Sequence, residues 1–112
     1  MDIVAAGSKI VMSVVAGYGQ VDGALIVYDT VTGENTVYSG SGFIPGHSPV
    51  GLWYDEASGW VYGTTTVYGG LNSTPTEQKA KVFVFDLSTN SVVMSAEPSI
   101  AAQENYPNEI MR

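Results

Sequence analysis

The chain has 112 residues, with four basic against eleven acidic side chains, a net charge of −7 and only 13% charged residues. A chain of this length can bury one modest core. Nucleic acids and anionic membranes both attract Lys and Arg, and no basic residue lies between Lys9 and Lys79, so we expect neither partner.

Composition predicts an all-β protein. Val and Ile together number 21 against four Leu, and β-branched side chains suit a pleated sheet. Without Cys, disulfides and cysteine-based metal sites are excluded. No stretch approaches the ~20 apolar residues of a membrane span. The first residues lack the basic region of a signal peptide, so any export signal is expected to lie outside this chain.

Strand signals recur along the chain, separated by clusters of Gly, Pro, Asn, Asp and Ser. The first predicted strand is the short segment 2–5, which resembles the finish of a longer one, and the last, 108–112, resembles the start of one. In chain order the predicted strands are residues 2–5, 9–16, 24–29, 36–39, 50–55, 60–67, 80–86, 91–96 and 108–112.

Two kinds of turn separate these strands. Residues 29–33, 55–59 and 86–90 predict tight turns, in which an Asp carboxylate accepts from turn amides and Gly or Asn takes the left-handed position. The remaining connections are long and rich in Gly, Pro, Ser and Asn: 17–22, 39–48, 68–79 and 97–107. In an up-and-down sheet the long loops should all lie at one end and the tight turns at the other.

The chain repeats itself. Residues 23–29 followed by Thr32-Gly33 match residues 80–86 followed by Thr89-Asn90 at an offset of 57 (86 − 29). Upstream, Ile10-Val11 matches Trp60-Val61 at an offset of 50 (60 − 10). Such self-similarity is typical of repeat architectures.

The repeat predicts the division of the chain into units. The first unit is residues 1–48 and lacks most of its innermost strand. The second is residues 49–107, and residues 108–112 begin the first strand of a third.

The sequence resembles β-propeller blades of the kelch and PQQ-like kind. Tyr28-Asp29 and Phe85-Asp86, each followed after two residues by Thr and then Gly or Asn, carry the likeness, together with residues 59–65. The second period is similar to blades of large bacterial, exported, carbohydrate-associated proteins. The resemblance implies two four-stranded antiparallel blades, a fragment or protomer of a larger propeller, with an extracellular or cell-surface location.

The sequence departs from both named blade types. The double glycine and Gly-Trp pattern of a strict kelch repeat is absent, as is the full tryptophan docking motif of PQQ enzymes. The resemblance therefore implies no redox cofactor, and we predict none.

Several side chains invite a chemical reading. Asp29 and Asp86 could serve as an acid/base pair, but their place in tight turns favours capping. Aromatic residues that alternate along the strands could stack on sugar, but packing between neighbouring blades is favoured. These are Tyr28, Trp53, Trp60, Phe83 and Phe85.

Ligand-binding residues are predicted on the long-loop side. His47, the single histidine, precedes an innermost strand, and it is interpreted as an ordinary polar loop residue and not as a catalyst. One His without Cys or clustered carboxylates does not indicate zinc, so no metal is predicted. The candidate ligand residues are Tyr18, His47, Tyr68, Asn72 and Tyr106.

These observations predict a binding or scaffold module without catalysis of its own, which forms part of, or assembles into, a larger propeller that binds carbohydrate or protein. Its partners would be further blades or identical chains in a homo-oligomer, including a lectin-like ring. The alternative is part of a polysaccharide-acting lyase or hydrolase whose site spans several blades.

Overall fold

A computed structural model of the protein describes residues 2–17, 19–67 and 79–97. These residues confirm the all-β class, and the helical element among them is one turn of 3₁₀ helix, Gly40–Gly42. The strands are β1 (Ile3–Ala6), β2 (Lys9–Val14), β3 (Ala24–Asp29), β4 (Asn35–Ser39), β5 (Ser48–Asp55), β6 (Trp60–Thr66), β7 (Val82–Asp86) and β8 (Ser91–Ala96).

The strands form two separate four-stranded antiparallel sheets, ordered β1-β2-β3-β4 and β5-β6-β7-β8. Eight of the nine predicted strands are thus confirmed, with ends that differ by one or two residues, and segment 108–112 lies outside the described residues. β1, the first strand of the first sheet, has four residues, all paired with β2. β5, the first strand of the second sheet, is twice as long, with eight residues. Within the described residues neither sheet closes on itself.

Two of the three tight turns have the predicted hydrogen bonds from backbone amides to the Asp carboxylate, while in the third the Asp55 carboxylate accepts from the Ser58 hydroxyl. The Asp29 carboxylate accepts from the backbone N–H of Val31 and Thr32, and the Asp86 carboxylate accepts from the N–H of Ser88. The residue four places after each Asp has positive φ: Gly33 at 77°, Gly59 at 72° and Asn90 at 55°. Capping of turns by Asp29 and Asp86 is therefore confirmed.

The strand register corrects one part of the repeat alignment. Tyr28, on β3, pairs with Ile10, and Phe85, its repeat equivalent on β7, pairs with Val61. Ile10 therefore matches Val61, at an offset of 51 (61 − 10), and the offset of 50 was wrong by one residue. A slip of one residue moves every side chain of a strand to the opposite face, so this correction decides which faces of the two sheets are equivalent.

The two sheets pack face to face around one apolar core. The first sheet contributes Val11, Leu25 and Val27, and the second contributes Val61, Phe83 and Phe85. We call these the inner faces of the two sheets. Phe43, from the loop after β4, meets the Phe83 ring edge-on with ring centroids 5.0 Å apart, and Tyr38, on β4, packs on Phe85 at 5.1 Å.

Polar side chains of the first sheet cover the free edge of β5, the strand that lies beside β1 and β2. The Asp2 carboxylate accepts from the Leu52 N–H at 2.9 Å, and the Ser13 hydroxyl lies 3.5 Å from the Val50 carbonyl. The Ser13 hydroxyl also accepts from the Asp2 N–H. These contacts pair two backbone groups of the β5 edge, and covering an edge in this way hinders the addition of a foreign strand at that point.

Gly63 fixes the position of the central aromatic side chain. It pairs with Phe83, and the Phe83 ring lies across it so closely that a Cβ at position 63 would overlap the ring and approach the Gly51 carbonyl oxygen to 2.7 Å. The glycine in β6 is therefore a packing requirement of the inner face.

Replacing Gly63 by Ala should destabilise the protein by about 1–3 kcal/mol, because the added methyl overpacks the core. Urea denaturation of G63A against the parent chain measures this. Gly42 has open space around its Cα and no left-handed backbone, so G42A is the matched control and should change stability by less than about 0.5 kcal/mol. Equal effects of the two substitutions would contradict the packing role of Gly63.

The hydrogen bonds of the Asp86 turn predict how the stability of the protein depends on pH. The Ser88 hydroxyl donates to the Asp86 carboxylate at 2.7 Å and the Ser88 N–H at 2.8 Å, and these bonds hold the pKa of Asp86 below its usual value. A lowered pKa in the folded state means stability that is present above the unfolded pKa and lost as pH falls through the folded pKa.

Removing the hydroxyl with S88A should raise the Asp86 pKa towards its ordinary value and reduce the stability lost on acidification. NMR titration of the Asp86 carboxyl carbon measures the first effect, and unfolding at several pH values measures the second. S58A, which removes the hydroxyl that donates to the Asp55 carboxylate in another tight turn, should leave the Asp86 titration unchanged. An unaltered Asp86 pKa in S88A would contradict this account.

Candidate functional site

The two long connections that the structure describes, 17–22 without residue 18 and 39–48, lie at one end of the sheets, as the turn pattern predicts for them. Ser39, at the end of β4, pairs with Ala24 at the start of β3, and Ser48, at the start of β5, pairs with Thr66 at the end of β6. Of the five predicted ligand residues, His47 alone is among the described residues. Tyr18, Tyr68, Asn72 and Tyr106 lie outside them.

His47 is fully buried. Its Nδ1 lies 2.8 Å from the hydroxyl oxygen of Thr65, which is also fully buried and accepts from the Lys81 N–H at 2.9 Å. The histidine therefore joins the start of β5 to the end of β6 and the segment before β7. An ordinary polar loop residue would be solvated, so that interpretation was wrong, and a ligand in solution has no surface of His47 to touch.

The burial of His47 follows from the loop that carries it. Phe43 and Ile44 belong to the core shared by the two sheets, and after the exposed Pro45 the residues Gly46, His47 and Ser48 are buried as well. The sequence signal was this apolar pair inside a loop otherwise rich in Gly, Ser and Pro. The interpretation of this loop from its sequence as a polar connection overlooked the apolar pair.

A second set of contacts fixes the loop against the first sheet. The Asp22 carboxylate accepts from the Gly46 N–H at 2.6 Å, the His47 carbonyl accepts from the Gly23 N–H at 3.1 Å, and the Ser48 hydroxyl accepts from the Ala16 N–H at 3.1 Å. Gly23 is required there, because a Cβ would overlap Ser48 and lie 2.5 Å from the Val14 carbonyl oxygen.

A large groove lies elsewhere, on the side of the second sheet that faces away from the first. It has a volume of about 460 Å³. We call this surface the outer face of the second sheet; its side chains are Trp53, Tyr62, Thr64, Val82, Val84 and Met94. Its single charged lining residue, Asp2, already accepts from two backbone N–H groups.

Trp53 dominates the outer face of the second sheet. Its side chain is 67% exposed, and it packs on Tyr62 with ring centroids 5.9 Å apart. Phe83 and Phe85 pack between the two described sheets. Trp53 and Trp60 instead pack on Tyr62 on the outer face of the second sheet, and Tyr28 is exposed on the first sheet, so these three do not lie between the two described sheets.

The first sheet has an apolar outer face of its own. Alternation along the paired strands places there Ile3, Ile10, Met12, Ile26, Tyr28 and Val37. Ile3 is 56% exposed, and Val37 is exposed as well. Contiguous apolar surface of this kind marks interaction sites in soluble proteins, so the structure carries two such surfaces on opposite sides.

Titratable groups do not converge in the described residues. Within 2–17, 19–67 and 79–97, no three His, Asp or Glu side chains are placed to hold one metal ion. Over the same residues, no helix has the length and apolar character needed to cross a membrane.

No protein-family model, curated protein or solved structure matches this chain.

The contact between His47 and Thr65 is testable by a double-mutant cycle with H47A and T65V. Because the two side chains share a buried hydrogen bond, their effects on the free energy of unfolding should couple by about 0.5–3 kcal/mol. Thr64 lies on the opposite face of the same strand, so the cycle of H47A with T64V is the control and should be additive. Additivity in both cycles would contradict the structural role of His47.

Proposed function

We propose that this chain is a binding and scaffold module built from propeller-type blades, and that its two outer faces pack against further four-stranded sheets. The single observation that carries the proposal is the equivalence of faces under the repeat. Leu25 and Val27, on the inner face of the first sheet, match Val82 and Val84, on the outer face of the second, at the offset of 57.

The same equivalence holds for the other strands. With the corrected offset of 51, Val11 matches Tyr62, and their partners Val4 and Trp53 match in turn. Val4 and Val11 pack into the interface between the two sheets. The outer face of the second sheet is thus the repeat equivalent of a surface that, in the first sheet, is covered by a neighbouring sheet.

Burial energetics support the same reading. An aromatic side chain buries roughly 150–250 Å², and each Å² of apolar surface removed from water contributes about 25 cal/mol. Covering the exposed two-thirds of Trp53 would therefore contribute roughly 2.5–4 kcal/mol before the entropic cost of association. This is enough for one residue to anchor an interface.

The resemblance to blades of carbohydrate-associated proteins supplies the second half of the proposal. Loops held by a rigid scaffold are where binding residues concentrate, and Asp22 and His47 hold the loops at residues 20–23 and 40–47 in one arrangement. We propose that the long-loop side binds carbohydrate or protein, with Tyr18, Tyr68, Asn72 and Tyr106 as the contact residues.

The scaffold proposal predicts that Trp53 is shielded in the native protein in solution. In a W60F background, Trp53 is the sole indole, and its acrylamide quenching reports its exposure. We expect weak quenching at tens of micromolar protein and stronger quenching on dilution, together with a mass above the 11.8 kDa of one chain by light scattering. A cooperatively melting monomer whose Trp53 is quenched like a free indole at every concentration would contradict the proposal.

A further inference from the structure

We infer that the partner of the outer face of the second sheet is a second copy of this chain, which docks head to tail through the outer face of its first sheet. The inference rests on the proposed scaffold function and names the occupant. It follows from the repeat, from the side chains on the two outer faces and from the edge of β1.

The repeat matches the outer face of each sheet with the inner face of the other sheet. Ile26 and Tyr28, on the outer face of the first sheet, match Phe83 and Phe85, on the inner face of the second, at the offset of 57. A copy placed on the second sheet as the second sheet is placed on the first would therefore present its Ile26 and Tyr28 to the outer face around Val82 and Val84, of which Val84 is already buried within the chain.

The backbone edge fits a second copy in particular. Within the chain, the edge N–H of Leu52 needs the Asp2 carboxylate of the first sheet. The position on the second sheet equivalent to Asp2 is Gly51, since Asp2 and Gly51 stand beside Ser13 and Thr64 in the two sheets. Gly51 offers no carboxylate to an incoming strand.

The incoming strand of a second copy would not need a carboxylate from the second sheet. In β1 the N–H equivalent to that of Leu52 belongs to Ile3, and it already donates to the Asp2 carboxylate of its own chain at 2.9 Å. Gly51 has no side chain of its own at the place where that carboxylate would arrive. A sheet whose edge N–H lacked such a partner would bury an unpaired donor here, which is costly.

Head-to-tail contact joins two different surfaces. An open assembly therefore keeps one free surface of each kind, one at each of its ends. Such contacts continue into a ring if the rotation closes and into a filament if it does not. A contact of either outer face with itself would instead stop at the dimer.

Two complementary variants test the inference. W53K places a charge on the outer face of the second sheet, and I3K places one on the outer face of the first. Each variant alone should be a monomer by sedimentation velocity at concentrations where the parent chain associates. Mixed in equal amounts, they should form a one-to-one complex of twice the 11.8 kDa chain mass, because one intact surface of each kind remains.

The control is V31K, which adds the same charge at an exposed apolar residue of a tight turn and should associate like the parent chain. Circular dichroism checks that each variant is folded, and M94K and M12K replace W53K and I3K if either is not. A single variant that still dimerises, or a mixture that stays monomeric while the parent associates, would overturn head-to-tail docking and leave the scaffold function standing. A monomeric parent chain with freely quenched Trp53 would contradict both the head-to-tail docking and the scaffold function.

Discussion

Each sheet of this protein has only four short strands, and such a sheet cannot protect both of its faces by itself. Face-to-face packing through Phe83 and Phe85 solves this for one face of each sheet. Other features serve that contact. Gly63 has no side chain, which leaves room for the Phe83 ring against β6. Phe43 packs edge-on against the same ring.

Polar groups at the junction hold the two sheets in register. Asp2 and Ser13 satisfy the free edge of β5, while Asp22 and His47 tie the loop before β5 to both sheets. Buried hydrogen bonds of this kind add little net stability each, but they are expensive to break. They therefore select one arrangement of the sheets among the many that apolar contact alone would allow.

The same chemistry explains the unusual surface. A repeat that buries its apolar side chains only against a neighbour leaves apolar surface at each end of the array. Trp53 at one end and Ile3 at the other are what this repeat presents there. The low overall content of charge accompanies this apolar surface, and acidic residues of the tight turns, such as Asp55 and Asp86, lie at the opposite end of the sheets from the loop at residues 40–47.

The sequence by itself determined the local structure. Alternating β-branched and aromatic residues define the strands, and Asp with Gly or Asn four residues later defines the tight turns, because these patterns act over a few neighbouring residues. It also determined the equivalence of Asp29 and Asp86. Only the tertiary structure decided the register of β2 and β6, which depends on pairing with β3 and β7, and hence which faces are equivalent. It likewise decided that His47 is buried and Trp53 exposed, because burial depends on which sheet lies opposite a residue, and no local pattern records that.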